Sequence, residues 1–216
     1  MGLWAPLKAP RPVRHAAAGV GAAAGAEAVA APAMAAELRP EDRGATGMTP
    51  IHRPAYIALG SNLEEPARQV HRAMENLSRE PGIRLELRSR LYRSSPLGPQ
   101  AQPDFVNAAV GVLTELSPRQ LLDRLLAIEK LMGRDRRERW GPRIIDLDLI
   151  WMIGEPIDEP GLKLPHPGVS ERNFVLYPLA DIAPSLRIPG HGRVVDLAAR
   201  IGDAGLSVLE EKRGTS

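Results

Sequence analysis

The chain has 216 residues, 44% of them apolar and 25% charged, a balance that excludes a fibre, a wholly disordered chain or a membrane bundle. It has no cysteine, which excludes disulfide scaffolds, cysteine zinc sites and thiol nucleophiles. The 28 basic residues, 24 of them arginine, outnumber the 26 acidic ones by only two, so net charge by itself does not announce a nucleic-acid partner.

Residues 1–48 contain 16 Ala and no Ser, with few apolar side chains larger than Ala. Such a stretch buries too little apolar surface to offset the entropy of ordering it. The Ala16–Ala36 run follows Lys8, Arg11 and Arg14 but carries Glu27 and Pro32, a poor signal-peptide core. Without Leu, Ile or Phe it is also a poor membrane span. Residues 1–53 are therefore expected to be a disordered Ala/Gly/Pro-rich extension, with Met48 a candidate alternative start. The glycines of Gly19–Gly25 have the wrong spacing and context for a dinucleotide loop.

The folded part is expected over 54–205, with a tail at 206–216. Ala55–Leu59 is a short apolar run ending in Gly60-Ser61-Asn62, the pattern of a buried strand and turn. Leu63, Val70, Ala73, Met74 and Leu77 follow at helical spacing, with Pro66 in the first turn. Ile83, Leu85 and Leu87 alternate with charged residues and predict a half-exposed strand to Tyr92. A proline-rich loop at Arg93–Pro103 leads to a strand at Phe105–Leu113. Ser117-Pro118-Arg119-Gln120 is a capping box with proline at the first helical position. The helix it opens has an apolar face of Leu121, Leu122, Leu125, Ile128 and Met132 and stops at Gly133. Ile144–Met152 predicts another strand and Ser170–Leu179 a helix. Two strands without a helix between them, over Ile83–Leu113, favour antiparallel pairing and a single α+β domain.

Chemistry concentrates in Gly133–Met152. Arg134, Arg136, Arg137, Arg139 and Arg143 fall within ten residues against Asp135 and Glu138, on a stretch without periodicity that predicts a solvated loop. Asp146 and Asp148 stand at i and i+2 of the next strand, so both carboxylates share one face while Ile145, Leu147 and Leu149 face the core. Paired carboxylates repel unless cations sit between them, and hard oxygen ligands of this kind suit Mg²⁺ together with substrate phosphates. An arginine-rich loop beside them makes a polyphosphate site, gripped bidentately by guanidinium groups. No G-x-x-x-x-G-K-[ST] is present, so this is not a P-loop protein. Lys163, His166 and Arg172 lie downstream and could close on the same anion. Phe105 and Phe174, the only two phenylalanines, flank Asp104/Asn107 and Arg172/Asn173 and could sandwich a flat heterocycle.

Together AYIALGSNL, YRSSPLGPQAQPDFVNAAV, GRDRRERWGPRIIDLDLI and LPHPGVSERNFVLYPL resemble the 6-hydroxymethyl-7,8-dihydropterin pyrophosphokinase family of folate biosynthesis, from about Ala55 to Pro184. The resemblance implies a ferredoxin-like α+β sandwich with a mostly antiparallel sheet and helices packed on it. It implies transfer of the β,γ-diphosphate of ATP to the pterin hydroxymethyl oxygen, releasing AMP. By the same resemblance Asp146 and Asp148 hold two Mg²⁺ ions. Phe105, Phe174, Trp140, Asn107, Ser94, Ser95 and Leu97 bind the pterin. Glu129, Arg136, Arg143, Leu149, Lys163, His166 and Arg172 bind ATP, and Arg134, Arg136 and Arg143 are catalytic. It further implies a cytoplasmic monomer acting on small molecules, with no nucleic-acid or membrane partner. Four positions depart from the pattern: Ser95 replaces a proline, Leu126 replaces a glutamine, the arginine loop is one residue shorter before Trp140, and Pro167-Gly168 follows the histidine.

Two other readings compete. A two-metal phosphodiesterase would use the same aspartates but recruit more carboxylates or histidines. A nucleic-acid-binding module built on the arginine loop would want interleaved aromatic residues, and only Trp140 qualifies.

Overall fold

The computed structural model describes residues 52–96, 102–134 and 142–210. Most of the expected extension, and the last six residues of the expected tail, lie outside the described residues.

In chain order the elements are β1 (Arg53–Ser61), α1 (Pro66–Arg79), β2 (Ile83–Arg88), β3 (Tyr92–Ser94), β4 (Phe105–Thr114), α2 (Pro118–Leu131) and β5 (Asp146–Met152). Two short strands follow, β6 (Ile157–Glu159) and β7 (Leu162–Leu164), then a 3-10 turn at Val169–Glu171 and α3 (Asn173–Ile182). The chain ends with β8 (Arg187–Ile188), β9 (Gly192–Arg193), α4 (Val194–Ile201) and β10 (Leu206–Val208). The main sheet runs β10-β3-β4-β1-β5, with β2 pairing the other half of the same β4 edge. All its described ladders are antiparallel. This is the expected α+β architecture. No helix among the described residues is long and apolar enough to cross a membrane.

β1 and β4 are buried at consecutive residues rather than alternate ones, because helices cover both faces of the sheet centre. α1 and α2 pack on each other and on β1, β2, β4 and β5; α3 packs on α4 and across β4, β1 and β3. The core so enclosed includes Ile57, Leu77, Leu121, Leu125, Ile145, Leu147, Leu176 and Leu179. At the head of α2 the capping box forms as read: Ser117 Oγ accepts from the Gln120 N–H at 3.2 Å and Gln120 Oε1 accepts from the Ser117 N–H at 2.9 Å.

Several boundaries differ from the expectation, each for a local reason. Leu63 precedes α1, which begins only at Pro66 after Glu64 and Glu65 take left-handed backbone angles. The strand expected over Ile83–Tyr92 is two strands. Its pairing with β4 shifts register between Leu85 and Leu87, and the strand ends before Ser89, whose N–H still donates to Ala109 O at 2.9 Å while its Oγ, in place of a carbonyl, accepts from the Ala109 N–H at 2.9 Å. Arg90 then turns outward to Asp181. The helix expected over Ser170–Leu179 is interrupted at Arg172, whose backbone is extended between the 3-10 turn and α3. The sheet also continues past 205: Leu206–Val208 pairs with β3, so the expected tail begins with a strand.

Candidate active site

The carboxylate pair sits on the edge strand β5. Asp146 lies opposite Gly60 and Asp148 opposite Ala58, while Leu147 and Leu149 lie opposite Leu59 and Ile57. Alternation thus works as expected: Ile145, Leu147 and Leu149 are buried and the aspartates stand on the other face. Leu149, assigned to the ATP site, is only 4% exposed, so its side chain belongs to the core and any contact with a ligand falls to its backbone.

A single cross-strand row organises the site. Tyr92 pairs with Asn107, Asn107 with Gly60, and Gly60 with Asp146. Directly opposed residues share a face, so an amide, a glycine and a carboxylate lie in line across three strands. At about 4.8 Å per strand, Asn107 and Asp146 are separated by roughly 10 Å. Gly60 leaves the middle of the row without a side chain; a Cβ there would come 3.4 Å from Asn107 Oδ1. Ala58 does the same work in the next row, between Ala109 and Asp148.

Arginines converge on the carboxylate end. Arg134 Nη1 is 2.6 Å from Asp146 Oδ1, and Arg143 Nη1 is 2.5 Å from Asp146 Oδ2. Arg134 also donates to Glu129 Oε1, and the same oxygen accepts from the Leu147 N–H at 2.7 Å. Glu129 is 2% exposed, on the inward face of α2, and so fixes Arg134 against the first turn of β5. Arg172 Nη1 approaches Asp148 Oδ2 at 3.6 Å, a reach made possible by the helix break described above.

Electrostatics follow from the crowding. Burial and then the neighbouring Asp146 charge push the Asp148 carboxyl above the usual range, against the pull of His166, Arg172 and Arg134. Burial, followed by Arg172, lowers His166, with the two aspartates opposing. The Gly168 N–H donates to His166 Nδ1 at 3.1 Å, which leaves Nε2 to carry the proton of the neutral ring. Two neighbouring carboxylates on the edge strand of the sheet, with the charge of Asp146 raising Asp148, are a donor set that fits a hard divalent cation. Among the described residues no three His, Cys, Asp or Glu side chains cluster as a metal site.

At the other end of the row, Asn107 Nδ2 donates to Ser94 Oγ at 2.9 Å and to Tyr92 O at 3.4 Å. Ser95 is exposed, and its N–H donates to Gly205 O at 3.3 Å. Phe105 opens β4 and Phe174 lies in the first turn of α3; both are half-buried, and Phe174 packs against the core. Asn173 Nδ2 anchors that first turn to Gly202 O and Ala204 O. Lys163 does not join the site: its ammonium is engaged 2.7 Å from Asp158 across the exposed β6–β7 hairpin. Leu97, Arg136, Arg137, Arg139 and Trp140 lie outside the described residues. The sequence reading gave no role to Gly60 or Asn62; the Gly60-Ser61-Asn62 turn was their only signal.

Comparison with known proteins decides the family. A model described as 7,8-dihydro-6-hydroxymethylpterin-pyrophosphokinase (HPPK) matches residues 56–184. The chain belongs to this family. The HPPK of Pseudomonas aeruginosa, named 2-amino-4-hydroxy-6-hydroxymethyldihydropteridine pyrophosphokinase, is 47% identical over 154 residues, 71% of this chain and 95% of the relative. The protein of the same name from Haemophilus influenzae is 44% identical over 149 residues, 69% of this chain and 93% of the relative. A crystal structure of Plasmodium falciparum HPPK-DHPS matches with a TM-score of 0.56 at 14% identity, over 71% of this chain and 45% of that one. At that identity the likeness speaks for the HPPK fold alone, and this chain spans under half of that longer protein. As an HPPK, the chain is an enzyme of pyrophosphoryl transfer in folate biosynthesis.

Proposed function

We propose that the protein transfers the β,γ-diphosphate of ATP to the hydroxymethyl oxygen of 6-hydroxymethyl-7,8-dihydropterin, releasing AMP, with two Mg²⁺ ions at Asp146 and Asp148. The observation that carries this reading is the row from Asn107 through Gly60 to Asp146. It offers an amide at one end, a carboxylate at the other and a bare floor between, on the scale of a bicyclic ring followed by a phosphate chain.

At the pterin end, the Asn107 amide hydrogens are held by Ser94 and Tyr92, so Oδ1 is the atom left to accept from ring N–H or amino groups. Phe105 and Phe174 are the rings to stack on the heterocycle, and Ser95, Leu97 and Trp140 complete that side by the family resemblance. At the phosphate end, Arg134, Arg143 and Arg172 present guanidinium forks, with Arg136 and the Nε2–H of His166 as further donors. Lys163, already paired with Asp158, reaches an anion only if that pair opens. Asp146 and Asp148 would hold the Mg²⁺, which would supply charge neutralisation to the phosphate oxygens. Arg134 and Arg143, held beside Asp146, are placed to stabilise the charge that develops on the transferring diphosphate. In-line attack by the primary alcohol on the β-phosphorus then depends on positioning and charge neutralisation, without a strong base.

The deciding experiment is nucleotide product analysis with ATP, Mg²⁺ and the hydroxymethyldihydropterin. AMP formed one-for-one with pterin diphosphate, and only when the pterin is present, upholds the reading. ADP or free phosphate would replace it with another transfer or hydrolysis.

A further inference from the structure

Asn62 follows the last residue of β1, between the chain segments that enter β4 and β5 on either side. Its side chain is polar yet only 2% exposed, and its hydrogen bonds are divided between those two segments. Oδ1 accepts from the Arg143 N–H at 2.8 Å, and the Asn62 N–H donates to Arg143 O at 3.1 Å, a reciprocal pair. Nδ2 turns the other way, donating to Gln102 Oε1 at 3.2 Å and to Pro103 O at 3.4 Å. Arg143 lies three residues before Asp146, and Pro103 lies two before Phe105.

We propose that Asn62 is a positioning residue that ties the phosphate-side approach to β5 to the pterin-side approach to β4, holding the two half-sites in register. The inference rests on the functional reading above for what each half binds, but the tie itself is geometric. An amide suits the place because it offers an acceptor to one segment and two donors to the other. A carboxylate supplies no donor, and a hydroxyl only one. β1, β4 and β5 are already in register through the sheet ladders. The two loop approaches lie beyond the ladders, and there the Asn62 side chain takes over.

The variants separate the two arms. Asn62→Ala removes both and leaves the half-buried Arg143 N–H without the Asn62 acceptor. It is expected to lower kcat/KM for ATP and for the pterin alike, by roughly ten- to a hundredfold. Asn62→Asp keeps an oxygen for Arg143 but turns a second oxygen on Gln102 Oε1 and Pro103 O. It should lower kcat/KM for the pterin about tenfold and leave the KM for ATP near that of wild type. Gln102→Ala should reproduce that pterin-side defect in milder form, and it serves if Asn62→Ala does not fold. Amide exchange at Arg143, read by NMR on ligand-free protein, should quicken in Asn62→Ala and stay slow in Asn62→Asp. Equal losses for the two substrates in Asn62→Asp, or wild-type kinetics with unchanged Arg143 exchange in Asn62→Ala, would overturn the proposal. If wild type made no pterin-dependent AMP, the functional reading would fall. The exchange comparison would still decide the tie, faster exchange upholding it and unchanged exchange refuting it.

Discussion

Arg134 Nη1 lies 2.6 Å from Asp146 Oδ1, so the candidate metal carboxylate is itself the partner of an arginine. The charge needed to hold a cation is thus stored against the charge needed to hold a phosphate.

Asp146→Ala and Asp148→Ala are expected to lower turnover by on the order of a thousandfold. Chelation of divalent ions by EDTA should do the same to wild type. Both variants should keep a native circular dichroism spectrum, since both side chains are only partly buried and lie on an edge strand outside the apolar core. Full activity in either variant, measured as AMP release, would overturn its metal assignment.

Glu129 accepts from both Arg134 and the Leu147 N–H in a buried setting. Glu129→Ala strands the Leu147 N–H and leaves Arg134 to Asp146 alone, and is expected to cost about 3 kcal/mol of unfolding free energy in urea titrations. Glu129→Gln keeps an acceptor for Leu147 and should cost about half as much. Equal stability of wild type and the alanine variant would show that Arg134 finds its support elsewhere.

Tyr92 donates to Asp181 Oδ1 at 2.9 Å and accepts from Arg90 at 2.9 Å, joining β3 to α3. Burial, followed by the bond to Asp181, pushes its hydroxyl up to about 12. The folded state therefore favours the protonated phenol. That contribution is complete below the unfolded value of about 10 and disappears as pH rises through the folded one. Tyr92→Phe should flatten the alkaline loss of stability between those limits, and phenolate absorbance should show a tyrosine titrating late that the variant lacks.

Ser117 caps α2 far from any ligand group. Ser117→Ala should cost about 1 kcal/mol and lower Tm by a few degrees without altering kcat, as checked by thermal melts alongside the AMP assay.

Deleting residues 1–47 should change neither kcat nor Tm, because the family match begins only at residue 56. Loss of activity on truncation would give the extension a role.

Much of this molecule is legible locally. The apolar runs of Ala55–Leu59 and Phe105–Leu113 and the period-3.6 stripes of Val70–Leu77 and Leu121–Met132 place the main strands and helices, because a strand covered on both faces is apolar throughout and a helix buries one stripe whose spacing is a property of the backbone. The capping box at Ser117 and the shared face of Asp146 and Asp148 are equally local, and both form as read. Elements of two or three residues, such as β6 to β10, have no room for a period and left no trace. The break at Arg172 and the detour at Ser89 to Leu91 were invisible for a different reason: each is held by a partner distant in the chain, Asp148 and Ala109 among them.

The composition and the order of the residues determined an α+β chain, a carboxylate pair on one strand face and a family. Only the tertiary structure decided which groups meet. It set Asn107, Gly60 and Asp146 in one row, withdrew Lys163 to Asp158, turned Leu149 inward and gave Glu129 and Asn62 their work. Alternation along a strand fixes a residue's face, but its neighbours across the sheet depend on register, which is settled by pairing between segments far apart in sequence.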